Sequence, residues 1–406
     1  VTVLVLNHRQ LDERPAGTWL KDAGELLMVT TRTALAGSPA SERAAFARIV
    51  AVDSYASAEV EHAARALADR HKPARVVSSC ELDLIRAACL RERYGLAGQD
   101  VTSALAFRDK LHMRQAAAAG GVAGPRFHAV QSVTGAADFA GQTGYPVVVK
   151  PRLGTGTEGI TVAASHAELV RAATSPGPAG RGSGGLLAEE FISGPLFHVD
   201  GVSADGTVVH CWPSRYSQPV LQAVTRSEPR ISVLLDARDP LRPRLQHFTR
   251  QVLAALPSAG AGFAFHLEAW SDAAGTPVLC EVTSRASTDR IVAAYNHAFG
   301  VNLCEEGLRL QAGLPLQLRQ QPAAPARYAG WVVFPAAPGV FTPPPAARRP
   351  YALTFGLRLD AGARGRQPTS ITDFAADAVI DGTSASQVTG RARDLAGWWT
   401  ASRPWR

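Results

Sequence analysis

The sequence predicts an α/β domain at the front of the chain and an α+β body behind it. Three observations carry this. Over the first hundred residues, short apolar runs alternate with Ala/Arg-rich stretches whose apolar residues recur at three- and four-residue spacing. That pattern marks strands alternating with helices, and hence a parallel sheet. From Leu186 onward the pattern changes to longer strands joined by tight turns. The length of 406 residues, at about 150 per domain, leaves room for two or three domains.

Taken in order, Val3–Leu6, Leu26–Thr30, Arg48–Val52 and Val76–Ser78 read as strands, and Ser57–His71 and Leu82–Tyr94 as amphipathic helices. No GxGxxG follows the first strand, so a dinucleotide fingerprint is absent. The pattern pauses near Leu96-Ala-Gly98. A helix is expected from Ser103 to Ala119, stopped by Gly120-Gly121, with a turn at Gly124-Pro125. Tyr145–Lys150 is β-branched and reads as a strand, followed by the glycine-rich Gly154–Gly159. Thr174–Gly185 reads as a surface loop. Phe197–Ser203 and Val208–Pro213 flank an Asp205-Gly206 turn. Pro243–Leu256 is a helix. Gly262–Trp270 and Pro277–Ser284 form a second hairpin, and Ile291–Phe299 and Leu303–Gln311 are helices. Pro315–Arg327 reads as a linker into a tail holding Trp331–Pro335, with tryptophans expected to pack rather than act.

Composition excludes several classes. Hydrophobic residues make up 46% and charged residues 19%, so the chain is globular rather than disordered. Lys+Arg 42 against Asp+Glu 35 gives +7, but the charge is spread, without the basic block of a nucleic-acid partner. No run approaches the roughly twenty apolar residues of a membrane span, and Val1–Leu6 is too short for a signal segment. Five cysteines without CxxC spacing argue against a disulfide framework or zinc, so a cytoplasmic location is expected. Only four of the basic residues are lysines, namely Lys21, Lys72, Lys110 and Lys150. In an arginine-biased chain, a retained lysine marks a place where a compact point charge matters.

The chemistry gathers in three segments. In the second hairpin, His266 and Glu268 share a face, as do the odd positions of Glu281-Val-Thr283-Ser-Arg285. With Trp270 paired to Pro277, His266 is expected opposite Glu281, and Glu268 opposite Leu279. Two carboxylates on one face repel unless a cation lies between them, and an all-oxygen pair suits Mg²⁺. Arg285 lies just beyond, placed to neutralise developing anionic charge. The glycine loop after Lys150-Pro151 can offer backbone N–H groups and the Thr155 and Thr157 hydroxyls to a phosphate, although it lacks the Walker lysine. The stretch Leu187–Gly194 is an apolar strand with a polar tip that could meet an adenine edge.

In order and spacing these segments resemble the ATP-grasp superfamily, specifically its carboxylate–amine ligases. The matching residues are Asp109-Lys110, Val147–Pro151 with its glycine loop, Glu189-Glu-Phe-Ile192-Ser-Gly194, His266-Leu-Glu268 and Glu281-Val-Thr-Ser-Arg285. The likeness spans roughly Thr102 to Gly313. Phe197–Gly201, Cys211–Tyr216 and Glu281–Arg285 look like the subgroup near actinobacterial L-amino-acid ligases and carbamoyl-phosphate-synthase-like enzymes. The resemblance implies three parts: residues 1–100 as an N-terminal parallel α/β domain, 101–314 as a two-lobed ATP-grasp core, and 315–406 as a small C-terminal lobe.

It also implies roles. Lys110 and Lys150 would neutralise ATP phosphates under a lid at about 153–160, with Thr155, Gly156, Thr157 and Gly159 in the loop. Across a hinge at about 186–194, Glu189 would accept from the adenine amino group, and Glu190, Phe191 and Ile192 would supply backbone. Glu268 and Glu281 would bind Mg²⁺. Thr283 stands where the family usually has Asn, a poorer third ligand. Leu196 stands where the family often has an acid for the ribose, leaving that contact to His198 or Asp200. Arg285 would steady the acyl phosphate and tetrahedral intermediate, and His266 would orient substrate or help deprotonate the amine. Arg215, Tyr216, Ser287, Thr288 and Arg290 would border the acceptor pocket.

The implied reaction is ATP-dependent amide formation between a small carboxylate, taken as an amino acid, and an amine, releasing ADP and phosphate. The alternatives are a bicarbonate-activating carboxylase-like enzyme and a non-catalytic nucleotide-binding module. A homodimer is the default assembly.

Overall fold

The computed structural model describes residues 1–174, 185–318, 321–345 and 349–406. The expected loop at 174–185 lies, but for its two ends, outside the described residues, as do positions 319–320 of the expected linker.

The first domain is the expected parallel sheet. Thr2–Leu6, Glu25–Thr31, Phe46–Val52 and Arg75–Ser78 lie side by side in the order third, second, first, fourth, every pair parallel. Alternate residues of the first strand serve different cores. Leu4 and Leu6 pack with Leu27, Val60, Ala64 and Leu90 against the domain's own helices, Glu59–His71 and Asp83–Tyr94. Val3 and Val5 pack, beside Met28 of the neighbouring strand, with Trp212, Tyr295 and Leu308, which come from the rest of the chain. A parallel sheet needs cover on both faces. Here one cover is local, and the other includes helices Asp289–Phe299 and Leu303–Gln311. The strand order reverses at the first strand, so the loops after Leu6 and Ser78 meet at a switch point at the carboxyl ends of these strands, where Arg14 donates to Ser79 Oγ at 2.9 Å.

The body contains two antiparallel sheets. The smaller has the order Phe127–Val130, Leu186–Glu190, Val147–Pro151, Thr161–Ala163. Helix Val133–Thr143 and helix His166–Thr174 cover it with Ala136, Phe139 and Leu169. The larger has eight strands. Its order is Pro277–Thr283, Gly262–Ser271, Leu196–Ala204, Thr207–Tyr216, Arg230–Leu234, Tyr328–Pro335, Phe374–Gly382, Ala352–Leu357. The last three come from the C-terminal part of the chain, which therefore continues the core sheet instead of only packing against it. Trp399, on helix Ala385–Ala401, is 4% exposed and stacks on Phe334 at 4.5 Å, so it packs as expected.

Two local expectations are corrected. The helix expected over Ser103–Ala119 is two helices, Val101–Ala106 and Lys110–Ala119. Asp109 turns extended between them and caps the second by accepting from Leu111 N–H at 2.9 Å. The hairpin register also differs: Ser271, not Trp270, faces Pro277, and a bulge leaves Cys280 unmatched. Glu268 therefore faces Glu281, and His266 faces Thr283. The Asp205-Gly206 turn has the positive φ angles, 49° and 74°, that a two-residue hairpin loop needs.

Candidate active site

The corrected register puts Glu268 and Glu281 directly opposite each other on adjacent strands, hence on one face. Their side chains are 22% and 34% exposed, open to a ligand rather than sealed. Each is already in contact with proton donors. Tyr216 donates its hydroxyl to Glu268 at 2.7 Å, and His266 Nε2 lies 3.6 Å from the same oxygen. Lys110 Nζ lies 3.4 Å from Glu281. Burial pushes the Glu281 carboxyl up, but Lys110, Lys150 and Arg108 outweigh it and hold the group below its ordinary range.

Two lysines converge from different elements. Lys110 opens helix Lys110–Ala119, is 5% exposed, and donates to the Gly154 carbonyl at 2.9 Å, tying the helix to the glycine loop. Lys150, next to last in its strand, lies on the face of Val148, which is paired with Glu189, and its Nζ meets Glu189 at 2.6 Å. Arg114, one helical turn from Lys110, meets Glu189 on its other side at 2.8 Å. Burial alone would raise the Glu189 pKa; Arg114 and Lys150 bring it down to about 2. Glu189 is thus 2% exposed and engaged by two cations, an arrangement that does not suit the adenine contact expected of it. Its neighbours sit differently. Glu190 pairs with Arg126 at 3.1 Å, and Phe191 is 42% exposed at the end of the strand, beside Ile192.

The glycine loop bends through positive φ at Gly156, Thr157 and Gly159. The Gly156 carbonyl accepts from Ser370 Oγ at 3.0 Å and from Ile371 N–H at 2.9 Å. A side chain at 156 would lie 2.9 Å from Ile371 Cγ1. Residues Thr369–Asp373 thus form a strap across the loop, folded on Asp373, whose carboxylate accepts from the backbone of Thr369 and Ser370. Sequence reasoning assigned no chemistry to this part of the chain.

Arg285 meets a residue that sequence reasoning missed. Its Nε and Nη2 both reach Glu81 Oε2 at 2.5 Å, and Thr283 donates to the same oxygen at 3.2 Å. Arg108 Nε lies 3.6 Å from the other oxygen. Glu81 follows the strand Arg75–Ser78, at the sheet's switch point. The rule that ligands bind at such switch points was the signal that could have found it. From the loop after Leu6, Arg9 and Arg14 reach Asp289 at 3.9 and 2.8 Å, at the start of helix Asp289–Phe299. Thr283 is 3% exposed and turned to Glu81, which does not fit a third metal ligand.

Beneath the carboxylates lies a buried network. Asp200 is held by His198 Nδ1 at 2.5 Å and His266 Nδ1 at 2.8 Å, and His198 Nε2 meets Ser232 at 2.7 Å. Burial lowers the His266 pKa, but Asp200 and Glu268 raise it to about 10, so the ring is cationic at neutral pH and faces Glu268. These three residues are close enough to hold a metal. Both ring nitrogens of His198 are already satisfied, however, and a hydrogen-bonded support explains the geometry. With 1% exposure, His198 does not suit the ribose contact expected of it.

Of the expected acceptor residues, Tyr216 and Arg290 lie on the site's side, Arg290 over Trp331 and Phe374 at 5.9 and 4.7 Å. Ser287 is buried and Thr288 precedes the helix. Arg215 is exposed and lies over Phe197, on the opposite face from Tyr216. A separate cavity of about 110 Å³, lined by Arg75, Arg91, Gln99 and Gln311, includes neither carboxylate.

The residues present fit a nucleotide with a hard cation. Two opposed, partly open carboxylates supply oxygen ligands of the kind Mg²⁺ takes. Two lysines and a glycine loop stand beside them, and an exposed aromatic lies at the hinge.

Comparison with known proteins agrees. Residues 107–319 match the family model described as carbamoyl-phosphate synthase L chain, ATP binding domain. An L-arginine-specific L-amino acid ligase of Bacillus subtilis is 25% identical over 239 residues, 58% of this chain and 57% of its own length. The chain thus spans just over half of that relative. Among solved structures, an L-amino acid ligase from Bacillus licheniformis superposes with a TM-score of 0.76 at 19% identity, covering 98% of this chain and 97% of that one. The biotin carboxylase domain of Hydrogenobacter thermophilus 2-oxoglutarate carboxylase, a dimer holding MgADP and bicarbonate, gives 0.68 at 18% identity, covering 97% and 88%. No described helix is long and apolar enough to cross a membrane. The matched stretch takes in more than half of the chain and both carboxylates, both lysines, the glycine loop and Arg285, and the chain belongs to this carbamoyl-phosphate synthase L chain ATP-binding family, an ATP-grasp protein.

Proposed function

We propose that the protein is an ATP-dependent ligase that joins the carboxylate of an amino acid to an amine through an acyl phosphate, releasing ADP and phosphate. The observation that carries this is the opposition of Glu268 and Glu281 on one face, with Lys110 beside one and Arg285 two residues past the strand's end at Thr283. The relationship to L-amino acid ligases supports the substrate class.

Glu268 and Glu281 would hold Mg²⁺, which when bound would supply charge neutralisation and polarise phosphoryl oxygens. Lys110 and Lys150 meet the remaining phosphate charge, and Phe191 and Ile192 cover the adenine. The substrate carboxylate attacks the γ-phosphorus and displaces ADP. The amine nitrogen then attacks the carbonyl carbon, the carbon–oxygen bond to phosphate breaks, and the nitrogen gives up a proton. Arg285, held by Glu81, neutralises the oxyanion that forms between these steps. The glycine loop keeps water from the acyl phosphate. His266, a cation held on Asp200, fixes the orientation of Glu268 rather than taking a proton.

The test is ADP and phosphate release with ATP and Mg²⁺ across amino acids singly and in pairs, products followed by mass. ADP with a condensed product is expected. AMP with pyrophosphate would refute the acyl-phosphate route, and an ADP-forming reaction that consumes bicarbonate would move the protein to the carboxylases.

A further inference from the structure

Arg230 opens the strand Arg230–Leu234 and stands two residues before Ser232, which pairs with Tyr216. It therefore shares a face with Tyr216 and Glu268. It is 6% exposed. Among the described residues its one hydrogen bond runs from Nη2 to the Ile371 carbonyl at 2.5 Å, and no carboxylate lies at ion-pair distance. Burial first, and then Arg290, pull its pKa down to about 10. Arg290 has a claim on Asp377 at 3.4 Å, but Asp377 also takes Arg358 at 3.0 Å. Trp331, between Tyr216 and Arg290, has a buried indole Nε1 with no partner.

Two guanidinium groups thus share one carboxylate and a third, Arg230, has none, beside an unused N–H donor, in walls made of Tyr216, Trp331 and Phe374. A structural arginine of this burial is normally paired. Tying down Ile371 uses one nitrogen of Arg230 and leaves Nε and Nη1 for something else. The missing element is an anion, and the planar fork of arginine matches a carboxylate. We propose that Arg230 and Arg290 form a subsite for a carboxylate that one of the two substrates carries and the reaction leaves unjoined. This rests on the ligase reading and narrows it. At least one substrate bears a spare carboxylate, and Arg215, on the other face, plays no part.

The experiment offers each substrate with and without that group to the full chain. Acids are L-aspartate and L-glutamate against L-asparagine and L-glutamine; amines are free amino acids against their carboxamides. ADP and condensed product are followed. Removing the spare carboxylate from one substrate and not the other is expected to cut kcat/KM about 30-fold, the size of a lost charged hydrogen-bond pair, and so identifies its carrier. Arg230→Gln is expected to raise KM for that substrate about as much while leaving KM for ATP within about twofold, and to treat the amide analogue as the wild type does. Trp331→Phe, which keeps the packing, is expected to give a smaller rise in the same KM. Equal use of carboxylate and amide by the wild type, or an unchanged KM in Arg230→Gln, overturns the subsite. If no pair gives ADP, the ligase reading fails instead. Calorimetric titration of wild type and Arg230→Gln with L-glutamate, L-glutamine and L-glutaminamide then decides the subsite: a loss of binding on removing either carboxylate, abolished in the variant, upholds it, and equal or absent binding of all three ends it.

Discussion

In Glu189 charge and burial conflict, and its response to acid follows from that conflict. Its pKa sits at about 2, below the ordinary carboxylate value of 4.5. Its contribution to stability is therefore complete above the ordinary range and is lost as pH falls through about 2. Glu189→Gln leaves Lys150 and Arg114 buried without their counter-charge. It is expected to cost about 3–5 kcal/mol at neutral pH and to flatten the acid limb, read by denaturant melts between pH 2 and 7. Glu281→Gln removes a charge open to ligand and not to the core. It is expected to keep the melting temperature and lose ADP formation about 10³-fold, in a steady-state assay at saturating Mg²⁺. The sequence made Lys110 and Lys150 visible because an arginine-rich chain had kept lysine there. It hid Arg114 and Arg230 for the same reason, since an arginine among so many carries no mark.

At the scale of elements, the strap over the glycine loop depends on one carbonyl and two donors. Gly156 has φ of 63°, and a Cβ there would press on Ile371. Gly156→Ala is expected to strain the loop by about 1 kcal/mol. Ile371→Pro deletes the N–H that holds the loop. Both variants are expected to let water reach the acyl phosphate, so that ADP per amide rises about twofold or more. Hydrogen exchange should quicken at residues 154–160 in either variant even without substrate. An unchanged ADP-to-amide ratio with faster exchange would mean that the loop moves without guarding the intermediate. Strands and helices were legible wherever apolar residues kept a period, and most boundaries fall within two or three residues of expectation. The bulge at Cys280 was not. The extra residue puts Leu279 and Val282, three apart, into the same core and shifts every partner beyond it, so alternation revealed the shared face of the two glutamates but not which residue lay opposite which.

Across the whole molecule, the first domain is not a detachable module, because half of its sheet is covered by residues far along the chain. Tyr295 is 1% exposed in that shared core. Tyr295→Ala is expected to cost about 3–5 kcal/mol and to lower the first domain's melting together with the body's, seen as one shifted transition by calorimetry and by Trp19 fluorescence alike. Two separate transitions would refute a common core. This docking was beyond the sequence, since each strand of a parallel sheet is apolar on both faces and nothing in its pattern says which part of the chain will cover it. The same docking brings Glu81 to Arg285. The strap has a consequence in the order of manufacture. Domains form from the N-terminus as the chain is made, so the lysines, the glycine loop, the glutamate pair and Arg285 all leave the ribosome before Ser370 and Ile371 exist. A half-made chain can assemble the parts that hold a nucleotide, but not the piece that keeps their enclosure shut. The protein acquires its seal last, and an unfinished copy in the cell would be a leaky container.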